Sequence, residues 1–307
     1  MRFQRLTSAA FVVTAIVALA AAAVAQQSGG GPPADRAAAA RAAAEAIAAQ
    51  LKEAAARPTP RSADGHPDLS GHWVEPSPRM AAFLPQGKTG KGVDRSPEIH
   101  VFPPGLSVAN VNAGDRASAA RRLADPSLRP KYKPQFAAKA AQFFERGDLD
   151  DPTFGCALPG VVRLGVPREI FQQPGALVLL YEDLVNRYRV IPVDGRKADP
   201  DADPLPMGHP LGHWDGDSLV IESSGFYGDY WLDKDGSYYS SDMKLTERLT
   251  RQGDTLRFEL LVNDPMFVEP FKPKPVTLVR SPAGTHVLEE YGCVEQDRAH
   301  MVNGAKH

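Results

Sequence analysis

Cysteine is scarce: the 307 residues hold two, Cys156 and Cys293, which leave room for one bridge at most. That bridge would close a loop of about 137 residues, for which chain entropy gives roughly 4–5 kcal/mol of stabilisation. Two buried thiols are the alternative. A glycine-rich phosphate loop is missing, and so is any βαβ alternation, which argues against a nucleotide-binding α/β fold. No G-x-S-x-G occurs, and Ser223-Ser224-Gly225 ends a strand pattern without a helix behind it, so a serine nucleophile has no support. Basic excess is also lacking: 35 Lys and Arg stand against 37 Asp and Glu, a net charge of −2, with nothing to attract nucleic acid or an anionic membrane surface. No cofactor motif is present, and none is expected to be bound.

What is there begins with an export pattern. Arg2 and Arg5 precede an alanine-rich apolar run over residues 9–22, which ends in Ala23-Val24-Ala25, an A-x-A cleavage site. The run is short and alanine-heavy for a spanning helix, which needs about 20 strongly apolar residues. Residues 1–25 are therefore expected to be a signal peptide, cleaved near Gln26, leaving a periplasmic or secreted protein with no membrane span. An oxidising compartment would favour a Cys156–Cys293 disulfide. Residues 26–60 read as linkers around an almost pure helix former at 34–57, with Ile47 and Leu51 as its larger apolar residues. This is the pattern of a solvated spacer outside the core. Residues 61–307 read as one β-rich domain with a helical insertion at about 116–147. Within the insertion Phe136, Ala140, Phe143 and Phe144 share one helix face, and Gly147 supplies a stop.

From Ile170 onward, apolar residues recur two apart between turn signals. The stretch Met207-Gly-His-Pro-Leu-Gly-His-Trp-Asp-Gly-Asp217-Ser-Leu-Val-Ile-Glu222 is the densest in reactive side chains. Its Gly-Asp turn recurs at Gly253-Asp254, between strands at 244–251 and 255–263. Paired strands are also expected at 176–184 with 187–194, and at 276–280 with 286–293. Regular turns of this kind predict a mainly β fold: an antiparallel lipocalin-like barrel, or a sandwich, preceded by helical segments.

Candidate site residues follow from face and spacing. Glu247 lies between Leu245 and Leu249, so it shares their inward face; it is either half of a structural ion pair or a site carboxylate. Glu182 is a weaker case of the same kind. His209 and His213 have the spacing of zinc ligands on a helix, but Pro210 and Gly212 oppose a helix, and an extended strand would part them by about 13 Å. No metal is expected there. His209 is the candidate acid or base, with Glu247 as its partner. Arg196 follows Asp194-Gly195 after a strand with a basic outer face, and is either a turn residue or an anchor for a substrate carboxylate. Trp214, Tyr230 and Trp231 are candidate binding aromatics, the last two in a glycine-rich loop that would lie over a barrel mouth. The acids of that loop, Asp229, Asp233 and Asp235, match no calcium-loop spacing.

The motifs together resemble a broad family of exported, functionally uncharacterised bacterial proteins. They are Asp68-Leu-Ser-Gly-x-Trp73, Cys156-x-x-Pro-Gly160, Gln173-Pro-Gly175, Tyr181-Glu182, Gly208-His209-x-x-Gly212-x-Trp214-x-Gly-Asp217, Thr246-Glu-Arg248, Asp264-Pro265 and Tyr291-x-Cys293-x-Glu295. The resemblance spans 68–295 and implies an exported, β-rich, ligand-handling protein. Three functions are compatible with these residues. One is a cofactor-independent acid–base enzyme (a lyase, isomerase or hydratase) acting on a small organic molecule in a barrel cavity. The others are a non-catalytic carrier using the same cavity, and an envelope interaction protein whose barrel is solid.

Overall fold

Burial alternates cleanly along β3 and β9, and glycine-containing turns reverse the chain between strands. The computed structural model describes residues 33–76, 128–145, 151–152, 157–181, 187–233 and 235–281. The elements in chain order are α1 (Pro33–Ala55), β1 (Gly71–Val74), α2 (Pro134–Glu145), the single turn α3 (Val161–Leu164), β2 (Glu169–Gln173), β3 (Ala176–Tyr181) and β4 (Arg187–Pro192). Then come β5 (His209–Asp215), β6 (Ser218–Ser224), β7 (Tyr230–Trp231), β8 (Tyr238–Tyr239), β9 (Lys244–Gln252), β10 (Thr255–Asn263) and β11 (Val276–Arg280). In β9 the odd-numbered residues from Leu245 to Arg251 are buried and the even ones are not. β10 returns through Gly253-Asp254 and pairs along its whole length, Leu249 opposite Phe258 and Glu247 opposite Leu260.

Nine strands make one antiparallel sheet in the order β4-β3-β2-β1-β11-β10-β9-β6-β5. Followed around, chain neighbours lie side by side. The β7–β8 ribbon is an excursion, and β1 and β11 are joined by a ladder that sets Trp73 opposite Arg280. The sheet curls until β4 and β5 lie alongside each other without pairing. The result is the mainly β, nearly closed antiparallel barrel that the turn spacing predicts, with its seam in mid-chain. Gly212 permits the seam: a Cβ there would sit 2.7 Å from Val193 Cγ1 and 2.9 Å from Ile191 Cγ2. β11 is flanked by β10 and β1, and the strand expected at 286–293 lies outside the described residues.

Most inward side chains meet in one cluster, and Leu245 and Val262 join the cap cluster at one end. Trp73, Ile170, Leu177, Leu179, Leu219 and Leu249 have no exposed surface, so no space large enough for water borders any of them. One end of the barrel is closed by residues 59–69, anchored by the buried Arg251. This arginine donates to Gly253 O at 2.8 Å and to Asp68 O, and its guanidinium lies 5.2 Å from the Trp73 ring. The other end is capped by α2, α3 and the β7–β8 ribbon. Ala140 and the half-buried Phe136 and Phe143 pack there against Phe226, Tyr238 and Phe267, the helix face expected from the sequence.

Most of α1 is solvated, as its composition predicts, but its last turn docks. Asp254 N donates to Ala54 O at 2.9 Å, and Gly253 N to Thr59 Oγ1 at 2.7 Å. The β9–β10 turn fits against the helix because residue 253 has no side chain: its φ is +57°, and a Cβ would lie 2.4 Å from Ala54 O. Removing residues 1–50 should therefore leave the urea midpoint unchanged. Extending the deletion to residue 60 breaks both hydrogen bonds and should cost about 1–3 kcal/mol. Equal stability of the two truncations would show that the docked turn contributes nothing.

Candidate functional site

Glu247 faces into the barrel, as its place between two leucines requires, and its side chain is 1% exposed. Arg189 of β4 meets it with a two-point fork, Nη1 to Oε1 at 2.9 Å and Nη2 to Oε2 at 2.7 Å. The same guanidinium donates to Tyr181 Oη at 2.9 Å and to Ser223 Oγ at 3.1 Å, while its Nε is buried without an acceptor. Burial works most strongly against the Arg189 charge, but the Glu247 carboxylate and the Tyr181 hydroxyl together hold the pKa above the ordinary arginine value. Burial pushes the Tyr181 hydroxyl up to about 12, with Arg189 opposing. Both Glu247 oxygens accept from Arg189, so the carboxylate is bound in a structural pair.

The expected partnership of His209 with Glu247 does not form. Glu247 stands opposite Ile221, and Ile221 opposite Gly212, so the even-numbered residues of β5 share the inward face. His209 and His213 occupy the outward face. The His209 Nε2 lies 2.7 Å from Asp203 O, and its ring packs over Gly225. β5 lacks a clean apolar alternation, because Pro210 and Gly212 hold two of its inward places. β4 needs a second correction. Its outer face carries Tyr188 and Val190, and Arg189 points inward with Ile191. The signal was present, since Arg189 lies two residues before Ile191.

The predicted binding residues do not converge. Arg196 is exposed and forks onto Asp194, whose carboxylate also accepts the Arg196 backbone N–H and is held down to about 2 by those bonds. It is a turn residue. Trp214 lies at the α1 end of the barrel, stacked on His66 with ring centres 4.5 Å apart. Tyr230 and Trp231 lie at the opposite end, inside the cap. Trp231 packs against Phe143 at 5.4 Å, and the Tyr230 hydroxyl donates to Leu158 O. The rings plug the mouth: the Tyr230 hydroxyl finds a backbone acceptor within the cap, as the Tyr238 and Tyr239 hydroxyls do with Phe136 O and Pro206 O. Glu182, Cys156 and Cys293 lie outside the described residues. Among the described residues no group of three His, Cys, Asp or Glu side chains is placed to hold a metal ion, and no helix is long and apolar enough to cross a membrane.

A barrel-shaped sheet can hold a small molecule. In this one the described inner layer is packed, and a groove of about 580 Å³ opens beside the cap instead. Ala137, Ala140 and Ala141 of α2 form its floor, and Tyr132 and Phe271 form its walls. Two extended strips frame it. Lys133 N donates to Met266 O, Val268 N to Lys131 O, and Phe271 exchanges two 2.9 Å backbone bonds with Val262. The Tyr132 hydroxyl donates to Tyr238 O at 2.7 Å and accepts from Tyr238 N at 2.6 Å. Sequence reading missed this groove, because alanines and backbone strips from distant segments carry no motif.

No family model matches the chain, and neither does any curated protein or solved structure.

The Arg189–Glu247 pair generates a direct test. Glu247→Leu or Arg189→Met strands a buried partner charge and should each cost about 3–5 kcal/mol in urea unfolding. The apolar double replacement Arg189→Met with Glu247→Leu should cost much less than the sum, giving a coupling of at least 1 kcal/mol, on the order of contacting pairs. Additive single effects would mean the fork adds nothing to the closed barrel.

Proposed function

We propose that the protein is an exported, non-catalytic binder of a small organic molecule, held in the groove beside α2. The groove itself is the supporting observation: about 580 Å³, within the range of ligand sites, with an apolar floor and walls fixed by backbone hydrogen bonds. Binding is favoured over catalysis because the residues best suited to acid–base work are held apart. Glu247 is locked inside the barrel, and His209 is on the outer face of β5. Export rests on the basic start, the alanine-rich run and the A-x-A site of the first 25 residues.

Two measurements test this reading. In thermal unfolding against a panel of aromatic, terpenoid and sugar compounds, a groove ligand at 100 times its Kd should stabilise the protein by about 2.7 kcal/mol. Ala141→Trp, which fills the floor from an exposed helix position, should abolish the shift; a shift that survives it places the ligand elsewhere. For export, intact mass after alkylation of envelope-derived protein should show a chain starting near Gln26 with Cys156 and Cys293 bonded. Retained residues 1–25 would end the export proposal, and two alkylated thiols the disulfide.

A further inference from the structure

Resting on the groove as the binding site, we propose that its ligand is an amphipathic organic anion, a compact apolar body carrying a carboxylate or similar acidic group. The floor asks for the apolar body. Ala137, Ala140 and Ala141 stand three and four apart on one face of α2, so three short side chains leave a trough where longer ones would fill it. Pro130 and Pro270, which have no backbone N–H, border it, and the polar atom in its wall is already engaged. The Tyr132 hydroxyl spends both its donor and an acceptor site on the Tyr238 backbone. A ligand lying there meets the alanine methyls and the rings of Tyr132 and Phe271.

The rim asks for the negative charge. Arg129, Lys131 and Lys272 border the groove against a single acid, Glu269. That local excess of positive charge departs from a chain whose net charge is −2. Arg129 is partly committed, donating to Ser237 Oγ at 3.2 Å and to Asp235 O at 3.4 Å. Lys131 and Lys272 have no carboxylate partner among the described residues, and they approach from the two different strips that frame the groove. Ammonium groups on long flexible stems can close on an acidic group at the mouth while the apolar body stays on the alanine floor. A neutral ligand would leave both charges unused.

The test is isothermal titration of the full chain with two matched pairs, 2-naphthoate against 2-naphthamide and octanoate against octanamide. Each pair shares its apolar body and differs in charge. The carboxylate should bind at least about tenfold more tightly than its amide, and its affinity should fall as NaCl rises from about 0.05 to about 0.5 M. The double variant Lys131→Gln/Lys272→Gln should lose about tenfold for the carboxylates and leave the amides unchanged. Lys197→Gln, an exposed lysine outside the groove, should change neither. Equal affinity of acid and amide, or an unaffected double variant, overturns the anion assignment. The groove reading survives that result if Ala141→Trp still abolishes binding of both. If neither pair binds, or Ala141→Trp leaves affinity intact, the groove reading fails and the anion assignment with it.

Discussion

The nearly closed barrel depends on a charge pair that crosses its seam. β4 and β5 lie side by side without a hydrogen-bond ladder, so the two ends of the sheet are held by side chains. Arg189 leaves β4, passes the seam and reaches Ser223 on β6 and Glu247 on β9. Neither charge is tolerable in a dry interior alone, and each is satisfied only when the sheet has curled far enough to bring β4 to β9. Apolar side chains would pack at many degrees of curl; a bidentate fork is satisfied at one. The pair thus ties the barrel to a particular closure, and Gly212 lets the backbones come near enough for it to form.

The two ends are closed by different chemistry. At the α1 end a second buried arginine, Arg251, ties residues 59–69 to the β9–β10 turn by donating to Asp68 O and to Gly253 O. Burial there, with Arg280 nearby, lowers its pKa below the ordinary arginine value. At the α2 end, aromatic rings with internally satisfied hydroxyls form the plug. Leu260 and Met207 touch both the barrel core and the cap cluster, so cap and barrel are packed continuously. Both ends are filled and the described inner layer is packed, while the groove beside α2 lies outside the strands.

Much of the fold was legible because its signals are local. Period-two alternation and the repeated Gly-Asp turns located the β5–β6 and β9–β10 hairpins. Leu245 and Leu249 fixed the inward face of Glu247, and one of its two readings, the structural ion pair, holds. The partner was harder to read. Arg189 sits among Arg187, Tyr188 and Val190, where polar and apolar residues alternate in a sense that only pairing with β3 settles. His209 was misassigned for a similar reason, since proline and glycine at inward positions of β5 erase its alternation. The sequence of the aromatic loop reads as a cluster over a mouth. Whether such rings line a mouth or plug it depends on acceptors supplied by α2 and by residues 158 and 206, which are distant in sequence.

The groove follows from the way the cap is built. α2 spends Phe136, Ala140 and Phe143 on the plug, and the neighbouring stripe of its surface carries alanines. The strip at 129–133 is held against residues 266–268 by backbone bonds, and Tyr132 is tied to Tyr238 through both of its hydroxyl bonds. The strips therefore cannot collapse onto the helix without breaking the contacts that seal the barrel, and alanine side chains are too short to fill the space from the other side. What remains is a trough whose walls are as firmly set as the plug itself. A ligand lying in it would need no rearrangement of the fold, and its ordering cost would fall mainly on the long side chains at the rim.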